Sequence, residues 1–178
     1  MRPTSLLLFL PLACAAPAAD EPADPAGAAL ELGAETDPAR AFDFWLGDWQ
    51  CHGPDGSLGG HNTITLEAGG RALQEHWVGA GGGVGTSLSF LDAGTGTWHQ
   101  TWIDNSGGTL YLDGGPDETG AMVLEGTKER RDGGGLVRHR VVWTPDANAG
   151  TVRQHWTWTI DDGATWGTAA DLVYSRVR

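Results

Sequence analysis

Glu75, Gln100, His139 and Gln154 are the polar residues that strand alternation directs inward among tryptophans, which makes them the side chains best placed to do chemistry in this chain. Asn62 joins them. A carboxylate such as Glu75 facing an apolar interior is costly unless paired or hydrated, so it either meets a partner such as Arg176 or His139 or lines a wet cavity. Two readings of the set stand side by side. One is a satisfied internal network with no ligand. The other is a pocket whose walls are Trp77, Trp102, Trp143, Trp156 and Trp158, with the polar groups orienting a small, partly apolar or amphipathic ligand. An enzymatic version would use Glu75 as acid or base, its pKa raised by the apolar wall.

Other chemistries find less support. The six histidines, His52, His61, His76, His99, His139 and His155, are scattered without the close spacing of a zinc site, so no metal ligand is assigned. The chain has no G-x-S-x-G elbow, P-loop, dinucleotide fingerprint or closely spaced acid pair, and no catalytic residue is assigned. Cys51 and His52 are adjacent on a strand and face opposite sides, which rules them out as a nucleophile and base pair. Gly79 to Gly85 precedes a strand and lacks Lys, so it reads as a hairpin loop or portal flap, not a phosphate cradle.

The elements that position these residues are strands. Twenty-eight glycines and frequent Thr and Val favour short strands joined by tight turns, and nine tryptophans supply enough apolar area for a core. Alternation from Gly47 onward predicts about ten strands, near 47–52, 61–68, 71–79, 84–91, 97–104, 109–113, 120–127, 136–144, 151–160 and 166–176. Asp37-Pro38 predicts an N-cap and first position of a short helix carrying Ala41, Phe42 and Trp45 on one side. Three hairpin registers then sort the faces. Pairing Leu66 with Leu73 groups Asn62 and Ile64 with Glu75 and Trp77. Pairing Phe90 with Trp98 groups Leu88 and Phe90 with Gln100 and Trp102, leaving Ser87 and Ser89 outside. Pairing Thr144 with Thr151 groups His139, Val141 and Trp143 with Gln154, Trp156 and Trp158.

Residues 1–19 read as a signal peptide, with Arg2 before the apolar run Leu6 to Ala16 and small residues around Ala16-Pro17-Ala18. Leu12-Ala13-Cys14 also resembles a bacterial lipobox, in which Cys14 would become a lipidated N-terminus and the only membrane attachment. Either outcome places the protein outside the cytoplasm and leaves Cys51 without a disulfide partner. Residues 20–36, rich in Ala, Pro and acids, read as a disordered linker, and 37–178 as the folded domain. The whole chain carries a formal charge of −12; loss of Arg2 leaves 10 basic against 23 acidic residues, or −13. Such a surface repels phosphate backbones and anionic lipid, which argues against a nucleic-acid partner.

Gly47-Asp48-Trp49 at the first strand, with Arg176 at the last, resembles the signature of calycins and lipocalins, and the wider pattern is similar to an uncharacterised family of exported bacterial calycin-like barrels. That pattern comprises Phe42-Asp43-Phe44-Trp45-Leu46-Gly47-Asp48-Trp49, Leu73-Gln74-Glu75-His76-Trp77, Trp98-His99-Gln100-Thr101-Trp102-Ile103-Asp104, Val152-Arg153-Gln154, Asp161-Asp162-Gly163-Ala164-Thr165-Trp166 and Tyr174-Ser175-Arg176. The resemblance implies an all-β, closed antiparallel barrel with Trp49 and Arg176 at its closed end, holding a small apolar ligand. The nitrobindin-like branch of this architecture implies haem or gas binding, for which His139 is the one inward-facing histidine. A third reading is a structural envelope protein with a filled barrel. Thr159 to Trp166 also fits the Asp-box pattern, in which Asp161 and Gly163 shape a hairpin turn and Trp166 packs beneath it, a brace and not a sugar site.

Overall fold

A computed structural model describes residues 37–130 and 132–177. The expected signal peptide, linker and Cys14 lie outside the described residues. The described residues are all-β: ten antiparallel strands close into a barrel in which each pairs with its neighbours in sequence and the last returns to the first. They are β1 (Gly47–His52), β2 (Leu58–Glu67), β3 (Ala72–Gly79), β4 (Val84–Asp92), β5 (Thr97–Asp104), β6 (Thr109–Pro116), β7 (Met122–Glu129), β8 (Leu136–Asp146), β9 (Thr151–Thr159) and β10 (Gly167–Arg176). Closure gives every one of these strands a partner on both sides.

One end of the barrel is plugged. The short helix consists of two 3₁₀ turns, Pro38–Arg40 and Asp43–Trp45, with Asp37 Oδ1 accepting from the Ala39 amide. These turns carry Phe42 and Trp45, both fully buried, into the barrel mouth. The Phe42 ring stacks on Trp45 at 4.9 Å between centroids and meets Trp143 edge-on at 5.2 Å. The Trp49 indole donates to the Trp45 carbonyl at 2.8 Å, and the Arg176 guanidinium lies over the Trp49 ring at 4.3 Å. Arg176 also donates to the Leu46 carbonyl at 2.9 Å. Gly47, at a φ of 126°, is required here because a Cβ would collide with Arg176 Nη1.

Two sequence-derived registers need correction. The β2/β3 register is as expected, with Leu66 opposite Leu73. In β4/β5, Leu91 and not Phe90 lies opposite Trp98, so Ser87 and Ser89 face inward and Leu88 and Phe90 face outward. A slip of one residue reverses every side chain of a strand. In β8/β9, Asp146 and not Thr144 lies opposite Thr151, because β8 continues through Pro145; this slip of two leaves the faces unchanged.

The hairpin joining β9 to β10 has the Asp-box geometry. Asp161 Oδ1 accepts from Thr159 Oγ1 at 2.7 Å and from the Thr165 amide at 2.9 Å, and Oδ2 accepts from Thr165 Oγ1 at 2.6 Å. These bonds hold the Asp161 carboxyl down at about 2. Trp166 lies against Gly163 but is 41% exposed, so it covers the turn only in part. Elsewhere the ladder between β6 and β7 is short: it holds Asp113 opposite Glu125 through Pro116 opposite Met122. Beyond it, the Lys128 ammonium donates to the Thr109 carbonyl at 2.7 Å.

Candidate functional site

Inward residues form three levels along the barrel. The plugged level is apolar, built on Trp49, Trp98, Trp143, Met122 and Val152 around the 3₁₀ turns. The open level carries Trp77, Trp102, Trp156, Leu110 and Leu172. Between them lies a mixed level, with Leu112, Leu124 and Val141 on one side and Cys51, Asn62, Glu75, Ser87, Gln100, Gln154 and Tyr174 on the other.

The polar half of the middle level is a chain of hydrogen bonds centred on Glu75, which is 5% exposed. Its Oε1 accepts from Asn62 Nδ2 at 2.7 Å and its Oε2 from Ser87 Oγ at 2.5 Å. Asn62 Nδ2 also donates to the Tyr174 hydroxyl at 3.3 Å, and that hydroxyl donates to Gln154 Oε1 at 2.8 Å. Gln100 Nε2 donates to Ser89 Oγ at 3.0 Å. The partners expected for Glu75 are therefore corrected: Arg176 lies on Trp49 at the plugged end, His139 bonds elsewhere, and among the described residues the donors to Glu75 are the neutral Asn62 and Ser87. Burial pushes the Glu75 carboxyl up to about 6, against the smaller lowering effect of the bonds from Ser87 and Asn62. Burial likewise pushes the Cys51 thiol to about 12, helped by the Glu75 charge, and raises the Tyr174 hydroxyl well above its usual value. Cys51 is thus a protonated, inert thiol.

Above this level is a cavity of about 150 Å³, floored by Glu75, Gln100 and Gln154 and walled by Trp77, Trp102 and Trp156. Glycine seats fix two of these rings. A Cβ at Gly60 would collide with the Trp77 ring, and a Cβ at Gly85 with the Trp102 ring, so both indoles lie across inward-facing glycines of the neighbouring strand. Gly85→Ala should therefore destabilise the protein by about 1–3 kcal/mol through overpacking, read as a lower urea midpoint at unchanged slope. A midpoint equal to that of the parent would show that the Trp102 ring is not seated there.

Of the expected site residues, Glu75, Trp77, Gln100, Trp102, Gln154 and Trp156 converge on this cavity. Three do not. Trp143 is 1% exposed and belongs to the plug, in contact with Phe42 and Trp45. Trp158 is 38% exposed and lies over Gly167 near the open rim. His139 stands behind the wall: its Nδ1 accepts from Trp156 Nε1 at 3.1 Å, and it lines a separate groove with Lys128, Arg130 and Asp132. Burial, and secondarily the Lys128 charge, lowers its pKa. The haem expectation loses its geometry: His139, its one candidate ligand, does not line this cavity, whose volume is about half the lower bound of ~300 Å³ for drug-sized ligands.

Sequence reasoning missed Tyr174, Ser87 and Ser89. Tyr174 lies two residues before Arg176 on the same strand, so the inward direction of Arg176 carried the signal for it. Ser87 and Ser89 were hidden by the apolar look of Leu88 and Phe90.

Comparison with models of known protein families finds no match, and comparison with curated proteins finds none.

Proposed function

We propose that this is an exported, calycin-like barrel that binds a small, partly apolar ligand in the cavity between Glu75 and the three tryptophans. The observation that carries this reading is the cavity itself: an aromatic wall over a floor of convergent polar groups, in a barrel whose other end is packed solid. A volume of about 150 Å³ matches a single ring, the size of cavity that takes up benzene. Glu75 supports it further, since a buried carboxylate without a cation costs stability that a filled structural barrel would have no use for. A signal peptide or a lipidated Cys14 would place the domain outside the cytoplasm.

Native mass spectrometry of the mature protein purified from its own envelope tests the reading, followed by calorimetric titration with benzyl alcohol. The expected result is a retained small mass, or saturable uptake of benzyl alcohol weakened by Trp102→Ala. A bare chain that takes up nothing at millimolar benzyl alcohol would favour the filled structural barrel instead.

A further inference from the structure

Resting on that reading, we propose that the ligand is a primary amine carried on a small apolar group, its ammonium against Glu75 and its apolar part between Trp77, Trp102 and Trp156. The charge balance of the cavity is the first support. Among the described residues, Glu75 is the one carboxylate in the lining, and no Lys, Arg or His lines the cavity with it. Its hydrogen-bond donors, Asn62 and Ser87, are neutral. An anionic ligand would meet this carboxylate with no counter-charge, whereas an ammonium supplies the missing one.

Unused hydrogen-bonding capacity is the second support. Both Asn62 N–H groups are spent, on Glu75 and Tyr174, while Asn62 Oδ1 is buried without a partner. The Ser87 and Tyr174 hydroxyls have given their protons to Glu75 and Gln154. The carboxylate retains lone pairs beyond the two already engaged. The donors left on the floor are the neutral amides of Gln154 and Gln100, the latter already giving one N–H to Ser89, too little to hold an acid beside Glu75. The network around the carboxylate therefore lacks donors, and an ammonium brings three.

The walls are the third. Indole rings attract cations, and three tryptophans border a volume fit for one ring. Beyond the cavity, the net charge of −12 draws cations toward the protein and repels acids.

The test is calorimetric titration of the mature protein at pH 7.5 and low salt with benzylamine, benzyl alcohol and benzoate, which share one ring and differ in charge. Benzylamine is expected to bind at least about tenfold more tightly than benzyl alcohol, and benzoate more weakly than either. Glu75→Gln should bring the benzylamine to benzyl alcohol ratio to about one. A parallel titration at pH 5 makes the same comparison without a variant: Glu75 is then protonated, Cys51 and Tyr174 beside it stay neutral at both pH values, and the preference should vanish. Equal or tighter binding of benzyl alcohol at pH 7.5, or a preference that survives in Glu75→Gln and at pH 5, overturns the amine assignment while leaving the cavity a binding site. Failure of all three ligands overturns both.

Discussion

Trp45→Ala should cost about 3–5 kcal/mol of folding stability, enough to unfold much of the population of an ordinary domain at 37 °C. Trp45 is fully buried, stacks on Phe42, and lies 5.4 Å from Trp143 and 6.4 Å from Tyr174 between ring centroids. Its carbonyl also receives the Trp49 indole N–H. Removing the ring opens a void among side chains fixed by ten strands, which can collapse only in part. Urea denaturation followed by far-UV circular dichroism measures the loss. The control is Trp166→Ala, where a 41% exposed ring should cost much less. Equal losses in the two variants would show that the plug does not hold the barrel together.

At pH 7 the Glu75→Gln variant should be more stable than the parent by about 2 kcal/mol, and this advantage should disappear near pH 4. Burial raises the Glu75 carboxyl from 4.5 to about 6. The folded state thus holds the proton more tightly than the unfolded chain, so the stabilising effect is complete below 4.5 and is lost as pH rises through 6. The span from 4.5 to 6, at 1.36 kcal/mol per pH unit, gives the ~2 kcal/mol. Cys51 and Tyr174, the other titratable groups facing Glu75, remain protonated throughout this window. The neutral amide can be accommodated, because turning the Asn62 amide over offers its unpartnered oxygen to the new N–H. Denaturation midpoints of both proteins at pH 4, 5.5 and 7 measure the effect. A variant less stable than the parent at pH 7 would mean that Glu75 is a net stabilising group.

The barrel was legible in the sequence because its turns announce themselves. Gly69 and Gly70 lie at positive φ in the turn after β2, and they fixed the register of Leu66 on Leu73. The four-residue turn Ala93 to Gly96 also has a glycine at positive φ, Gly96, but its greater length left the register open by one residue. There the apolar side chains Leu88 and Phe90 pointed the wrong way, because the barrel interior at that level is polar. Ser87 serves Glu75 and Ser89 serves Gln100, so the rule that apolar residues face inward fails where the candidate site is built. Six of the nine residues expected to bind line one cavity, because alternation on a strand settles the face. Alternation does not settle the level along the axis: Trp143, Trp156 and Trp158 all project from correctly assigned faces, yet one fills the plug, one walls the cavity and one lies over the rim.

The short ladder between β6 and β7 has a consequence in time. Thr109–Leu112 and Gly126–Glu129 lie beyond the paired residues, joined there by the Lys128 ammonium on the Thr109 carbonyl. Gly126 still lies against the Tyr111 carbonyl, so the two strands run side by side without a regular ladder, and amides of this seam should exchange with water ahead of the rest of the sheet. Hydrogen exchange within the sheet should accordingly be faster along this line beside the open end than at the plugged end, where Phe42, Trp45 and Trp49 are buried.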